Sequence, residues 1–277
     1  MGKLLFFDID GTLAYPRCNP STATVTAIRQ ARRNGNKVFL CTGRTLENVP
    51  NSIMNIGFDG GIYSAGGKIV AENNILSNRF MPNALAEHIM KLLTGLSAFF
   101  ALETDTGRFN SENGNQILSK ADFSGASSEM QRFLEALLCN PNQQTISQYR
   151  NQPIYKIVFF ASDHSMITQL EKALEDQAKV VGFANLLSDS PLIAGEISDP
   201  GIHKGIAMEQ IAHYYGKTAD DCIAFGDSMN DVEVLAAAGL GIAMGNAEKR
   251  VLDIADMVCD TCENDGVAKM LHQLHII

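Results

Sequence analysis

The chain has 277 residues, of which 45% are hydrophobic and 19% are charged, a composition typical of a globular protein with a substantial core. Its 22 lysines and arginines against 31 aspartates and glutamates give a formal charge of −9, and no basic block offsets this acidity. Such a charge argues against binding to nucleic acid through phosphate contacts, and any anionic substrate would need a cation or a local cluster of donors.

The first residues do not have the pattern of a secretory signal, because Asp8 interrupts the short apolar run Leu4–Phe7. No run of about 18 apolar residues is present, so we expect neither a transmembrane helix nor a membrane partner. Six scattered cysteines favour reduced thiols and a cytoplasmic location over a disulfide framework. Cys259 and Cys262 have the spacing of a redox or metal pair, but a single pair favours no function.

Strands and helices alternate at both ends of the chain. The first third predicts a strand over 3–9, a helix over 22–35, a strand over 37–43, a proline-interrupted helical segment over 45–57, and strand, turn and strand over 60–70. The last third predicts helices over 203–216, 230–239, 248–255 and 265–275, separated by strands over 221–227, 240–245 and 256–260. This order predicts an α/β fold with a Rossmann-like, doubly wound parallel sheet.

The middle of the chain has a different pattern of predicted elements. Predicted helices over 83–96 and 163–177 and predicted strands over 99–109 and 154–162 are separated by longer intervals, and residues 107–152 are polar. We therefore expect an inserted α/β domain over residues 82–189, within a core formed by residues 1–81 and 190–277.

Polar residues lie at the carboxyl ends of three predicted core strands, where ligands of open parallel sheets bind. Asp8 and Asp10 lie at the end of the first strand, Thr42 at the end of the second, and Asp227 at the end of a later one. A single aspartate at such a position is more often a turn or helix cap than a catalyst. Clustered carboxylates, however, repel one another unless a cation is present, and oxygen ligands of this kind suit Mg²⁺.

These residues form motifs that resemble the four motifs of the haloacid dehalogenase-like (HAD) superfamily. The motifs occur in the expected order and read Asp8-x-Asp10-Gly11-Thr12, Thr42-Gly43-Arg44, Lys204, and Gly226-Asp227-Ser228-x-Asn230-Asp231. Three further phrases resemble the Cof-type branch: Glu196-Ile197 with Gly201-x-x-Lys204-Gly205, Met244-Gly245-Asn246-Ala247, and Asn264-Asp265-Gly266-Val267-Ala268. The resemblance implies an HAD-type core with an inserted class IIB α/β cap that sets substrate specificity. We expect the residues that determine specificity to lie within Gly107–Arg150.

The resemblance also implies a Mg²⁺-dependent phosphatase that hydrolyses a small phosphorylated metabolite, such as a sugar phosphate, through an aspartyl-phosphate. Asp8 would be the nucleophile and Asp10 the general acid and base, with Thr42 and Lys204 completing the catalytic set. Side chains of Asp8 and Asp227 and the backbone carbonyl of Asp10 would hold Mg²⁺. The phosphate oxygens would be bound by Thr42, Gly43, Lys204 and Asn230.

Four residues would support this site. Asp231 would orient Lys204 or a metal-bound water, while Gly11 and Thr12 would turn the chain away after the aspartates. Arg44 has two open roles, either capping the following helix or facing the leaving group. His203 is left out of the site, because adjacent residues of a helix point apart.

One position departs from the family pattern, which often has Asn-Gly after the third strand. This chain reads Ser64-Ala65-Gly66-Gly67 there, and we expect the change to affect loop or substrate-side contacts rather than phosphoryl chemistry. Two other functions stay open: a phosphomutase with the same core, and a non-enzymatic module that accepts a phosphoryl group. We expect a monomer or a weak homo-oligomer.

Overall fold

The computed structural model describes residues 2–15, 18–112, 143–161, 165–183 and 193–277. The chain divides into two compact units, one formed by Met1–Asn78 with Ile202–Ile277 and the other by Arg79–Gly201.

The first segment of the first unit alternates strands and helices. Its elements are β1 (Leu4–Phe7), α1 (Thr22–Arg33), β2 (Lys37–Cys41), α2 (Asn51–Met54), β3 (Gly60–Tyr63), β4 (Lys68–Ala71) and β5 (Asn74–Asn78). The Ser21 hydroxyl caps α1 by accepting a hydrogen bond from the Thr24 amide.

The second unit contains two helices and six strands among its described residues. They are α3 (Asn83–Gly95), β6 (Phe99–Thr104), β7 (Gly107–Asn110), β8 (Gln143–Thr145), β9 (Ile154–Ala161), α4 (Ser165–Leu174), β10 (Lys179–Phe183) and β11 (Ile193–Ser198).

The chain then returns to the first unit. The elements of this segment are α5 (Lys204–Tyr214), β12 (Cys222–Gly226), α6 (Val232–Ala237), β13 (Leu240–Ala243), α7 (Lys249–Ile254), β14 (Met257–Val258) and α8 (Gly266–Gln273).

The first unit is built on an eight-stranded sheet in the order β14-β13-β12-β1-β2-β3-β4-β5. Strands β14 to β3 in this order pair in parallel, and β4 and β5 extend the sheet in antiparallel fashion. Strand β1 lies between β12 and β2, where the strand order changes direction along the chain, so its carboxyl end flanks the crevice in which such sheets bind ligands.

The four apolar residues of β1 are explained by burial on both faces of this sheet. Leu5 and Phe7 pack on the side of α1 and α8, and Leu4 and Phe6 pack on the side of α5 and α6. The ring of Phe7 stacks on Phe225 of β12 at a centroid distance of 5.0 Å. The predicted α/β class and the helices on both faces of the core sheet are confirmed.

The second unit has a six-stranded sheet in the order β10-β11-β9-β6-β7-β8, antiparallel except for the β7–β8 pair. One face packs against α3 and α4 through a cluster that includes Ile89 and Leu170. The other face carries buried charged residues, among them Lys156, whose Nζ lies 2.6 Å from Oε2 of Glu196.

The boundary between the units differs from the expected one. Residues 190–201 were expected in the core, but Glu196 of β11 lies opposite Val158 of β9 and Val181 of β10, inside the second sheet. The composition of β11 suits either sheet, so it does not by itself assign the strand to one of them. Within the described part of the chain, we find no helix of the length and hydropathy that a membrane span requires.

Candidate active site

Three strand ends bring the first candidate residues together. Phe7 at the end of β1 lies opposite Leu40 of β2 and Phe225 of β12 in the parallel register. Asp8 continues this pairing through its amide, which donates to the Phe225 carbonyl at 3.0 Å. Thr42 lies two residues after Leu40, and Asp227 lies two residues after Phe225. The sheet therefore places both at the same edge as Asp8.

Lys204 joins this edge from the first turn of α5. Its Nζ donates to Oδ1 of Asp8 at 2.8 Å, to Oδ1 of Asn230 at 2.7 Å and to Oδ1 of Asp231 at 2.6 Å. The lysine side chain is fully buried. An ammonium group has three protons, and all three are used in these contacts.

Asp231 is fixed by donors on both of its oxygens. Oδ1 accepts from Lys204, and Oδ2 accepts the amides of Asp227 and Ser228, each at 3.1 Å. Gly226 makes this approach possible, because a Cβ atom built there would lie 2.5 Å from Cγ of Asp231. Asp231 therefore joins Lys204 to the turn after β12 by hydrogen bonds.

Asp227 completes a group of buried carboxylates. One ligand atom each from Asp8, Asp227 and Asp231 lies within 4.8 Å of the others. The Thr12 hydroxyl lies 3.4 Å from Oδ1 of Asp227, and the amide of Glu248 donates to its backbone carbonyl at 3.1 Å. Since both oxygens of Asp231 already accept strong donors, the carboxylates of Asp8 and Asp227 are better placed to hold a cation.

Asp10 points to a different partner from Asp8. Nε of Arg44 donates to its Oδ2 at 2.9 Å and Nη2 donates to its Oδ1 at 2.6 Å. The two aspartates are one residue apart, yet each carboxylate is held by its own cation. Arg44 thus contacts a site residue rather than serving only as a helix cap.

Burial governs the electrostatics of the pair formed by Asp8 and Lys204. Loss of solvent raises the pKa of Asp8 well above its usual value, and the Lys204 ammonium opposes this shift while Asp231 and Asp10 add to it. Burial acts to lower the pKa of Lys204, but the carboxylates of Asp231 and Asp8 outweigh it and raise that pKa well above its usual value. Lys204 is therefore a permanent cation, and the carboxylates around it would be stabilised by further positive charge.

Comparison with known proteins identifies this arrangement. The family model of the haloacid dehalogenase-like hydrolases matches residues 5–271. The chain belongs to this family. The resemblance inferred from the four motifs is thereby confirmed.

Individual relatives agree with this assignment. An HMP-PP phosphatase from Yersinia pestis (strain Pestoides F) is 29% identical over 276 residues, which cover 98% of this chain and 95% of that protein. A haloacid dehalogenase-like hydrolase from B. subtilis is 25% identical with a TM-score of 0.81, covering 98% of this chain and 99% of that one. A HAD subclass IIB sugar phosphatase has a TM-score of 0.80 at 20% identity, covering 99% of this chain and 100% of that one, and this likeness concerns the fold alone.

The loop that departs from the HAD pattern packs behind the second motif. The Ala65 amide donates to the Thr42 carbonyl at 3.0 Å, and the Ser64 amide donates to the Arg44 carbonyl at 2.8 Å. Ser64 and Ala65 have left-handed φ angles of 50° and 56°, which Asn and Gly adopt more readily than Ala. The loop therefore adopts left-handed backbone angles at Ser64 and Ala65 with no asparagine at either position.

Two residues near the HAD motifs were missed as site residues. Asn246 donates through Nδ2 to the Gly11 carbonyl at 2.9 Å and accepts the Cys262 amide on Oδ1 at 2.8 Å, so it ties the first motif to the C-terminal segment. The Ser228 hydroxyl donates to Oδ1 of Asn230 at 3.1 Å. Both lie in quoted phrases, but the partner of Asn246 is 235 residues away and no sequence pattern identifies it.

Several expected roles are not tested by these contacts. The phosphate-binding role of Gly43 and Asn230 and the carbonyl role of Asp10 stay predictions. Most of the segment expected to set specificity, residues 113–142, lies outside the described residues. The pair Cys259 and Cys262 shows no sign of reactivity, because burial raises the pKa of the two thiols to about 11 and about 12.

Proposed function

We propose that this HAD-family phosphatase is Mg²⁺-dependent and removes a phosphoryl group from a small phosphorylated metabolite through an aspartyl-phosphate on Asp8. The observation that carries the proposal is the contact of Lys204 with Asp8 at 2.8 Å, beside the Asp227 carboxylate and at the carboxyl end of the central strand. An attacking carboxylate whose target is an anion needs positive charge beside it, which Lys204 supplies and which a cation held by Asp227 would increase.

The charges of the site suit a divalent cation. Four carboxylates of the site are buried, those of Asp8, Asp10, Asp227 and Asp231. Lys204 contacts Asp8 and Asp231, and Arg44 contacts Asp10. Asp8, Asp227 and the Asp10 carbonyl would hold Mg²⁺, which prefers such oxygen ligands. When bound, the ion would supply charge neutralisation between the carboxylates and the phosphate.

The proposed reaction has two steps, formation and hydrolysis of the aspartyl-phosphate. A carboxylate oxygen of Asp8 attacks phosphorus and the bond from phosphorus to the leaving oxygen breaks, while protonated Asp10 gives its proton to that oxygen. Water then attacks the phosphorus of the aspartyl-phosphate and gives a proton to Asp10. Asp8 leaves as a carboxylate, and inorganic phosphate is released.

Lys204 and Thr42 are the donors for the non-bridging phosphate oxygens. The Thr42 hydroxyl accepts the Arg44 amide at 3.1 Å, so its own proton is available to donate. Lys204 has no proton to spare while it contacts Asp8, Asn230 and Asp231. As the Asp8 oxygen bonds to phosphorus, the Lys204 N–H group that donates to Asp8 donates to a phosphate oxygen instead. Lys204 then stabilises the negative charge that develops in the transition state.

The substrate class rests on the relatives' names. One relative is named for HMP-PP and a structural neighbour for sugar phosphates, and both are small phosphorylated metabolites. HMP-PP and a panel of sugar phosphates are therefore the first compounds to test. A cytoplasmic location stays a prediction.

The test is release of inorganic phosphate from this panel and from p-nitrophenyl phosphate, with Mg²⁺ and with EDTA. We expect continuous release that needs Mg²⁺ and disappears in Asp8→Asn. Interconversion of phosphate isomers without net release would indicate the phosphomutase, and stable phosphorylation without turnover would indicate the regulatory module. Unchanged turnover of Asp8→Asn would reject the proposed mechanism.

A further inference from the structure

Arg44 donates hydrogen bonds to both carboxylate oxygens of Asp10. Nε and Nη2 donate to Oδ2 and Oδ1 at 2.9 and 2.6 Å, the paired geometry that makes arginine–carboxylate contacts directional as well as strong. The Asp10 side chain is 3% exposed and that of Arg44 is 11% exposed, so solvent weakens this ion pair little. A lysine, which is a point charge on a flexible stem, has no equivalent geometry.

Arg44 itself makes further contacts with described residues. Its amide donates to the Thr42 hydroxyl at 3.1 Å, and its carbonyl accepts the Ser64 amide at 2.8 Å. Its Nη1 donates to the Asn48 carbonyl at 3.3 Å, which uses the edge of the guanidinium turned away from the carboxylate. The side chain therefore connects the Asp10 carboxylate at a fixed distance to the backbone that follows Thr42.

A general acid must present one oxygen to the leaving group in a defined direction. A carboxylate offers about four hydrogen-bonding positions, and the arginine fork occupies the two that lie side by side. The fork fixes the plane of the Asp10 carboxylate, and proton transfer uses a position on that carboxylate outside the fork. Effective proton transfer depends on this orientation.

We propose that Arg44 is the positioning residue of the general acid and base, acting on the reaction through Asp10 and not through the phosphate. This inference rests on the proposed function, since it assigns Arg44 to the proton-transfer part of that reaction. It replaces both roles that the sequence left open for Arg44. The competing role is direct binding of phosphate or leaving group by the guanidinium charge.

The two roles differ in how the cost of losing Arg44 depends on the leaving group. A nitrophenolate departs without a proton, whereas an alkoxide needs one. If Arg44 acts through Asp10, Arg44→Gln lowers kcat/KM for alkyl phosphates about 10- to 100-fold, and for p-nitrophenyl phosphate much less. If Arg44 binds the phosphate, both substrates lose equally.

A double-mutant cycle provides the second readout. The kcat/KM values of wild type, Arg44→Gln, Asp10→Asn and the double variant are measured on one alkyl phosphate and on p-nitrophenyl phosphate. We expect Arg44→Gln to change kcat/KM less than about twofold once Asp10 is Asn, because residues that act as a unit are not additive. Arg44→Lys restores the charge but not the fork, and we expect it to recover only a small part of the loss.

Arg32 provides a matched control. It forms the same kind of paired contact with Asp59, at 3.0 to 3.2 Å, on the same unit and outside the site. Arg32→Gln should leave kcat/KM unchanged on both substrates, and melting temperatures report on folding of every variant. If Arg44→Gln does not fold, Arg44→Lys carries the same test with the same expected pattern.

Equal losses of Arg44→Gln on both substrates, or additive losses with Asp10→Asn, would overturn the positioning role. Full recovery in Arg44→Lys would do the same. These outcomes are separate from failure of the proposed function, which would appear as activity retained in Asp8→Asn.

Discussion

Lys204 and Asp8 are 196 positions apart in the chain, and the ammonium of one lies 2.8 Å from the carboxylate of the other. Both are buried, and the same ammonium also contacts Asp231 at 2.6 Å. A buried lysine with two carboxylates is costly to desolvate, and much of that cost is offset only while the cation and the anions remain together. We therefore expect this contact to contribute to the stability of the protein as well as to the proposed chemistry.

Replacing Lys204 by Met should measure the contribution of this contact to stability. Asp8 and Asp231 would then be buried without their cation, and we expect the free energy of unfolding to fall by about 3 to 5 kcal/mol without Mg²⁺. Urea unfolding measures this value. Lys249→Met removes an exposed lysine paired with Asp253 and should change the free energy of unfolding by less than about 0.5 kcal/mol. Similar changes in the two variants would contradict a stabilising role of the buried contacts of Lys204.

Removal of Asp10 should affect substrates unequally. In Asp10→Asn no proton is available for the leaving alkoxide, so kcat/KM for alkyl phosphates should fall by roughly 10²-fold or more. The loss on p-nitrophenyl phosphate should be far smaller, because its leaving group needs little protonation. Steady-state kinetics on the two substrates checks this difference, and equal losses would be inconsistent with Asp10 as the general acid.

Binding of Mg²⁺ should be detectable without turnover. A cation that binds only the folded protein stabilises it by mass action, by about 2.7 kcal/mol at 100 times its dissociation constant. We expect Mg²⁺ to raise the melting temperature of wild type and to have almost no effect on Asp227→Asn. Asp253→Asn, which alters an exposed carboxylate, should keep the full Mg²⁺ effect; an equal response of Asp227→Asn would remove Asp227 from the ligand set.

The loop behind Thr42 offers a prediction about backbone strain. Gly66 has a φ of 117°, and a Cβ atom there would lie 2.8 Å from the His203 carbonyl, next to Lys204. Gly66→Ala should therefore destabilise the protein by about 1 to 3 kcal/mol and lower activity by moving the first turn of α5. Ala65→Gly relieves a left-handed φ of 56° and should be neutral or stabilising, as thermal unfolding would show. Destabilisation by Ala65→Gly but not by Gly66→Ala would contradict this reading of the loop.

Much of the core could be predicted from the sequence because its signals are local. The apolar run of β1 indicates a strand buried on both faces, and the aspartates that end it indicate the ligand-binding edge. The order of strands and helices predicts the parallel sheet, and the four motifs predict which distant residues meet at its edge. Lys204, Asp8 and Asp227 do meet there.

The remaining features depend on contacts that no local pattern encodes. Strand β11 has a composition that suits either sheet, and only its pairing with β9 and β10 places it in the second unit. The long side chain of Arg44 can reach several partners, and the positions of the Thr42 loop and Asp10 together decide among them. Asn246 and Gly11 are joined by a single hydrogen bond across two motifs.

The most direct test of the mechanism is to look for the phosphoryl group on Asp8. The enzyme is mixed with substrate and Mg²⁺, quenched in acid within the first turnover, and reduced with borohydride, which converts an aspartyl-phosphate to homoserine. Peptide mass spectrometry then locates the change. We predict homoserine at position 8 in wild type. With p-nitrophenyl phosphate as the substrate, we also predict accumulation of the intermediate in Asp10→Asn, because formation of the aspartyl-phosphate then needs no proton from residue 10 while water activation is impaired. Rapid phosphate release without modification of Asp8, or modification of another residue, would contradict the account.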